Sequence, residues 1–167
     1  MLLLHGWDPV RPDDPFWFTI GGAVEHGETL RQAAVRELLE EAGIAVDEAR
    51  LGEPFETAPI EFTWAGMRFD QDQTFFAVLV DDAEVSFDGQ ESLERATIDT
   101  HGWLAPEDLE TGAVGRAADP ELPRIMRAAI AAVRAPSLSA ARERPGQSPR
   151  CGRGIYRAVT ELGISDS

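Results

Sequence analysis

The sequence is poor in cysteine and in positive charge. Cys151 is its single cysteine, so no intrachain disulfide can form, which is typical of proteins kept in a reducing cell interior. Lysine is absent, and 15 basic residues stand against 30 acidic ones for a net charge of −15. A nucleic-acid polymer is therefore not an expected partner, because binding it requires clustered cations. A small phosphorylated ligand is compatible with this charge if metal ions bridge the two negative partners.

Long apolar runs are also absent. No stretch of the sequence is long enough to span a bilayer, and the opening Met-Leu-Leu-Leu is too short for the hydrophobic region of a signal peptide. We therefore expect a cytoplasmic protein without membrane contact. The 167 residues and the apolar content of 43% suit one globular domain.

What the sequence does contain is a glycine-rich turn followed by a strongly signalled helix. Residues 16–20 (FWFTI) predict a buried strand, and the pair Gly21–Gly22 predicts a sharp exit from it. Thr29 begins a capping-box pattern, and Gly43 suits the left-handed position that follows a helix end. Together these signals predict a helix from about residue 30 to residue 42.

Three carboxylates share one side of this helix. At about 100° per residue, Glu37, Glu40 and Glu41 fan out over an arc of roughly 100°, while Leu38 and Leu39 fall on an apolar face that would pack on a sheet. Like charges at this spacing destabilise a helix, and a hard cation such as Mg²⁺ would compensate them. A solvated acidic face is the alternative explanation, since charge runs are common.

The residues around the helix match a longer pattern, G-x5-E-x7-R-E-U-x-E-E-x-G-U, in which U is a bulky aliphatic residue. The matching residues are Gly22, Glu28, Arg36, Glu37, Leu38, Glu40, Glu41, Gly43 and Ile44. On these positions the chain resembles the Nudix hydrolases, over about residues 2–134. The resemblance implies an α/β fold with a mixed β-sheet sandwiched between helices (α/β/α). It also implies hydrolysis of a phosphoanhydride in a nucleoside diphosphate linked to another moiety, with Mg²⁺ or Mn²⁺ as cofactor.

The resemblance also implies roles for single residues. Glu37, Glu40 and Glu41 would be metal ligands or act on the attacking water. Glu28 would support or join the metal site, and Arg36 would orient a carboxylate. On the helical wheel Arg36 lies nearest to Glu40, so these two side chains are expected to pair.

Further site residues are predicted outside the helix. Similar proteins often carry an additional glutamate on a later loop, as general base or metal ligand, and Glu91 is the first candidate for it, with Glu94 second. Trp7 and Arg11 are residue types that stack on a base or pair with a phosphate, although Trp7 suits a packing role equally well. With Gly22, they form the predicted substrate-binding set.

The remaining elements are read from periodicity and turn signals. The predicted strands cover residues 2–4, 60–64, 68–80 and 101–104, and the predicted helices begin at Pro106 and cover residues 120–134. Residues 2–4 look like the end of a strand whose first half is missing. We therefore predict a Nudix hydrolase domain at 1–134 and a tail at 135–167 that contains Pro and Arg. The tail is expected to be disordered, with a possible short helix at 155–162.

Three functions remain open at this point. Pro59 lies fifteen residues beyond Ile44, a spacing similar to that of ADP-ribose pyrophosphatases in the family, which favours ADP-ribose or a related compound as substrate. The first alternative is a nucleoside triphosphate pyrophosphohydrolase, including one that acts on oxidised nucleotides. The second is a nucleotide-sensing module without turnover. Because proteins of this family are often dimers, a homodimer is also possible.

Overall fold

The protein is built on one mixed β-sheet. The computed structural model describes residues 1–80, 83–134, 152–159 and 163–164. The strands are β1 (Leu2–Gly6), β2 (Phe16–Phe18), β3 (Glu56–Trp64), β4 (Met67–Val80), β5 (Ile98–Trp103), β6 (Gly152–Val159) and β7 (Gly163–Ile164). The helices are α1 (Leu30–Ala42), α2 (Ser92–Thr97), α3 (Pro106–Glu110) and α4 (Leu122–Arg134), with a 3-10 turn at Glu48–Arg50.

The strand order explains why the sheet is mixed. It runs β2-β1-β6-β4-β3, with β5 pairing β1 and β7 pairing β4. β1 and β6 are parallel, and the remaining pairs are antiparallel. The parallel pairing of β1 with β6 is what makes the sheet mixed.

Two hydrophobic clusters place helices on both faces of this sheet. Phe76 and Val78 of β4 pack in one cluster with Leu38 of α1, whereas Ala77 packs in the other with Met126 of α4. Successive residues of a strand point to opposite faces, so one strand serves both clusters. The predicted α/β/α arrangement is confirmed.

The tip of the β3–β4 hairpin is tied to the loop after β1. Ala65 and Gly66 form the tight turn with φ of 52° and 80°, as the primed hairpin turns require. Asp8, which is 1% exposed, accepts bonds at Oδ1 from the N–H groups of Ala65 and Val10, both at 3.0 Å. Its Oδ2 accepts from Arg11 at 3.3 Å. One buried carboxylate therefore holds two distant loops together.

Two local predictions were wrong. The region of Glu91 and Glu94, expected as a loop, contains α2, whose first turn is capped by a bond from the Glu91 N–H to Glu94 Oε2 at 2.8 Å. The short helix considered at residues 155–162 is wrong over the described residues 155–159, which belong to β6. Residues 155–159 pair with β4, and that pairing overrides their local preference.

Parts of the predicted tail lie outside the described residues, namely 135–151, 160–162 and 165–167. The division of the chain into a domain at 1–134 and a tail at 135–167 stays a prediction. Across the described ranges, no helix is long and apolar enough to cross a membrane.

Candidate active site

Helix α1 supplies most of the candidate site, and its ends are formed as the sequence predicts. Thr29 Oγ1 accepts from the Gln32 N–H at 3.2 Å, while Gln32 Oε1 accepts from the Thr29 N–H at 2.9 Å. Gly43 adopts the left-handed conformation with φ of 68°. These contacts fix where the helix begins and ends, and thereby the direction of its carboxylates.

The buried side of α1 differs from the prediction. Its buried residues span an arc of about 180° that is centred near Glu41. Glu37 and Glu41 are only 7% and 6% exposed, whereas Leu39, expected on the packed face, is 50% exposed. The expectation of a buried apolar face opposite an acidic one was therefore wrong, because the glycine turn packs over Glu37 and Glu41.

Arg36 lies at the centre of the carboxylates. Its Nε and Nη2 donate to the two oxygens of Glu28, each at 3.1 Å. Its Nη1 donates to Glu37 Oε1 and to Glu40 Oε2, both at 2.9 Å. Nη2 also donates to the carbonyl oxygen of Ala23 at 2.9 Å, which fixes the guanidinium plane. One cation thus partly neutralises three acidic side chains.

The pKa shifts follow from this arrangement. The Arg36 guanidinium holds the pKa of the Glu28 carboxyl below its usual range, and the bond to Glu28 is the largest cause of the raised pKa of Arg36. Burial raises the pKa of Glu37, which Arg36 opposes and the charges of Glu40 and Glu94 reinforce. The positive charge of Arg36 therefore does not fully offset the burial of Glu37, and an added cation would favour the ionised form of this carboxyl.

The glycine turn lies directly against these carboxylates. The Gly21 N–H donates to Glu41 Oε2 at 2.9 Å. A Cβ atom at Gly22 would lie 2.3 Å from Glu37 Oε1, so a side chain there would displace the carboxylate. Gly22, predicted to bind substrate, is not among the residues lining the adjoining cavity.

A cavity of about 780 Å³ opens beside Glu41. Its charged lining residues are Arg11, Asp14, Glu41, Glu91, Glu94, Arg116 and Asp119, and its aromatic lining residues are Phe16, Phe18, Phe62, Trp64 and Phe75. Its size falls in the range typical of small-ligand sites. Of the other sequence candidates for substrate contact, Arg11 lines this cavity and Trp7 does not.

The segment before α2 brings Glu91 and Glu94 to the cavity. Gln90 Nε2 donates to the Glu41 carbonyl oxygen at 3.3 Å, and the Ser86 N–H donates to the Ala42 carbonyl oxygen at 3.0 Å. Gly89 packs so closely on α1 that a Cβ there would lie 2.7 Å from the Glu40 carbonyl oxygen. This segment therefore docks on the end of α1 and carries the two glutamates with it.

Sequence reasoning missed the part of the cavity lining formed by Asp14, Phe16 and Arg116. The Arg116 Nε and Nη2 donate to the two carboxylate oxygens of Asp14, each at 2.7 Å, and its guanidinium lies 4.8 Å from the centre of the Phe16 ring. Nothing in the local sequence around either member of this ion pair predicts the other. Alternation along β3, which turns Phe62 and Trp64 to the same face, was the one usable signal.

The carboxylates suit a metal ion in their chemistry. Oxygen ligands from Glu37, Glu40 and Glu41 are the type that Mg²⁺ and Mn²⁺ prefer. Within the part of the chain that the structure describes, no three His, Cys, Asp or Glu side chains converge into a complete metal site. Arg36 contacts one oxygen each of Glu37 and Glu40, so the donor set fits a cation provided that these side chains adjust.

The comparisons with known proteins agree with the fold and with the motif. The family model described as NUDIX domain matches residues 1–126, and the chain belongs to this family. A curated relative, the oxidized purine nucleoside triphosphate hydrolase of Danio rerio, is 61% identical over 31 residues. That match covers 19% of this chain and 20% of the relative's length. No solved structure gives a significant match.

Proposed function

We propose that this protein hydrolyses a phosphoanhydride bond of a nucleoside triphosphate, in a reaction that requires a divalent metal ion and releases a nucleoside monophosphate and pyrophosphate. Membership of the Nudix family supports the reaction class. The relative from Danio rerio supports a triphosphate, and among triphosphates an oxidised purine, over the ADP-ribose favoured by the position of Pro59.

The observation that carries the proposal is the continuity of the cavity. Glu41, Glu91 and Glu94 line the same space as the aromatic side chains of β2, β3 and β4. A nucleotide has the same two parts, a charged phosphate chain and a flat apolar ring. A single cavity of about 780 Å³ that joins acidic and aromatic walls offers room for both.

The residues of α1 would hold the metal ion. Glu37, Glu40 and Glu41 are the proposed ligands, and Glu28 would support them through Arg36. Bound there, Mg²⁺ or Mn²⁺ supplies positive charge to the phosphate oxygens and lowers the pKa of water. Because burial raises the pKa of Glu37, the positive charge of a metal ion would stabilise the ionised form of this carboxyl.

The remaining proposed roles concern proton transfer and phosphate binding. Glu91 is the proposed general base and Glu94 the second candidate, and both line the cavity. The charge of Glu94 contributes to the raised pKa of Glu37, which supports its nearness to the site. Arg11 lines the cavity with a side chain that is 57% exposed, and it would exchange its 3.3 Å bond to Asp8 for one to a phosphate oxygen.

Product analysis tests the proposal. Nucleoside triphosphates, oxidised purine triphosphates and ADP-ribose are each incubated with Mg²⁺, with Mn²⁺ and with a chelator. A monophosphate plus pyrophosphate, formed only with metal, is the expected result. AMP plus ribose 5-phosphate would support the ADP-ribose alternative. Binding without any turnover would identify a nucleotide-sensing module and refute the proposed enzymatic activity.

The variant that tests the site is Glu41→Gln. The amide keeps an oxygen for the Gly21 N–H but carries no charge, so the fold should persist while kcat falls by about two orders of magnitude. Glu53→Gln is the matched control, since Glu53 is 91% exposed and lies outside the cavity lining. A folded Glu41→Gln protein with normal turnover would overturn the assignment. The same assay on Glu91→Gln and Glu94→Gln distinguishes the two candidate bases.

A further inference from the structure

One buried polar side chain in the cavity lining has an unsatisfied hydrogen-bond donor. Gln73 of β4 is 2% exposed and lines the cavity. Among the described residues, its Nε2 is the only buried side-chain nitrogen or oxygen atom that lacks a hydrogen-bond partner. A buried donor left without a partner destabilises a protein by about 1–3 kcal/mol, and such groups are rare in native structures. No described residue supplies a partner, so a ligand in the cavity is the candidate partner.

The position of Gln73 indicates what that partner is. In the β3–β4 ladder Gln73 lies opposite Ala58 and two residues from Phe75, so its side chain is on the face that carries Ile60 and Phe62. These three apolar residues line the same cavity. A donor on a wall of rings and aliphatic groups suits a flat, apolar ligand with an acceptor at its edge.

The other aromatic side chains of the cavity favour a stacked ring. Phe16, Phe18 and Trp64 are half-buried, and the Phe16 ring centre lies 5.7 Å from that of Phe18 and 6.5 Å from that of Trp64. Such surfaces bind the faces of nucleobases through stacking, which does not discriminate between bases. Discrimination then requires a polar group at the base edge, and Gln73 is placed to provide it.

We infer that Gln73 is a specificity-determining residue, whose Nε2 donates a hydrogen bond to a carbonyl oxygen or unprotonated ring nitrogen of the nucleobase. The inference rests on the proposed function in that the ligand is a nucleotide. It adds how the base is recognised. A base that lacks an acceptor at this edge leaves the amide buried and unpaired, and is rejected for that reason.

The substitution Gln73→Met tests the inference, because the two possible roles of the side chain predict opposite results. Met has a similar volume and no donor, so removing the unpaired amide should leave the stability of the free protein unchanged or raise it. The affinity for a nucleotide should fall about tenfold. Gln71→Met is the matched control: Gln71 is 6% exposed on the same face of β4 and does not line the cavity.

The binding measurement uses compounds that have no phosphoanhydride bond to cleave. GMP, AMP, CMP and UMP are titrated calorimetrically, with a chelator present, into the full-length wild-type, Gln73→Met and Gln71→Met proteins, and urea unfolding is measured on all three. A tenfold loss confined to Gln73→Met, without loss of stability, supports the inference. Equal affinities in wild type and Gln73→Met, or no monophosphate binding to wild type, would overturn it.

Analogues of the tightest-binding base identify the acceptor. For adenine these are the 1-deaza, 3-deaza and 7-deaza compounds, and for guanine the 3-deaza, 7-deaza and 6-deoxo compounds, each of which lacks one acceptor of the parent base. We expect the wild type to bind one of these analogues about tenfold more weakly than the parent nucleotide. The affinity for that analogue should not fall further in Gln73→Met, as a double-mutant cycle requires for a direct contact. Full additivity for every analogue would contradict the contact. Turnover measured separately shows whether the proposed function has failed instead, since binding of monophosphates does not depend on hydrolysis.

Discussion

Removing the carboxylate of Asp8 should weaken both the fold and substrate binding. Asp8→Ala deletes three hydrogen bonds, two from backbone N–H groups at 3.0 Å and one from Arg11 at 3.3 Å. Val10 is 57% exposed and its N–H can be rehydrated, whereas the half-buried Ala65 N–H at the hairpin turn loses its partner. One unsatisfied donor and two lost bonds together give a loss of about 2–4 kcal/mol in the free energy of unfolding.

The pH dependence of this contribution has a definite sign. Burial alone would raise the pKa of Asp8, but the N–H groups of Val10 and Ala65 and the Arg11 guanidinium outweigh it and hold the pKa below its usual value. A lowered pKa means that the ionised carboxylate stabilises the fold above the unfolded pKa of about 3.9. That contribution is lost as the pH falls through the folded pKa.

Urea denaturation of four proteins tests this reasoning. Asp8→Asn keeps an oxygen for both backbone donors, so at pH 7 it should lose about 1 kcal/mol or less, and its difference from wild type should shrink below about pH 4. Asp13→Ala, an exposed change in the same loop, is the control. An unfolding free energy for Asp8→Ala within about 0.5 kcal/mol of that for Asp13→Ala would refute the argument. In activity, KM should rise more than kcat falls, because Arg11 and the hairpin border the cavity.

Two further substitutions test the geometry around α1. Gly22→Ala would place a methyl group 2.3 Å from Glu37 Oε1, so the carboxylate must move. We expect kcat to fall by at least about tenfold with little change in melting temperature. Unchanged kinetics would contradict the contact. The Arg36 guanidinium donates to Glu28, Glu37 and Glu40, and in Arg36→Lys a single ammonium would have to replace it. We expect urea denaturation to show a loss of about 2 kcal/mol, and a value equal to wild type would mean that the bidentate contact is not needed.

Helix α1 was predictable because its signals are local. Thr29 and Gln32 satisfy each other within one turn, and Gly43 ends the helix by its own backbone preference. The predicted bounds therefore match the observed ones. The hairpin of β3 and β4 was located for the same reason, since Ala65 and Gly66 form a turn that alternating strands must flank.

The buried state of the carboxylates could not be predicted from α1 alone. A helical wheel ranks faces by hydrophobicity, and on that basis Leu39 belongs inside and Glu41 outside. The observed order is reversed because the Gly21 N–H and the Arg36 guanidinium give buried carboxylates partners, which a wheel does not represent. The outcome was set by neighbouring segments.

The cavity was the least predictable part of the site. Its walls join residues that are far apart in sequence, such as Asp14 with Arg116 and Gln73 with Phe16. Charge and aromatic content identified the residue types but not their partners. Strand alternation could have grouped Phe62 with Gln73, had the pairing register of β3 and β4 been known.

The position of β6 affects how the protein folds during synthesis. β1 and β4 both border β6, yet β4 ends at Val80 and β6 begins at Gly152. A ribosome adding about 5–20 residues per second needs several seconds to make the intervening segment. Throughout that interval β1 and β4 present strand edges to other nascent chains and to chaperones. Helix α1 is thus made early, but the sheet on which it packs is completed only after translation has passed residue 159. The slow step of folding should be this late, long-range pairing.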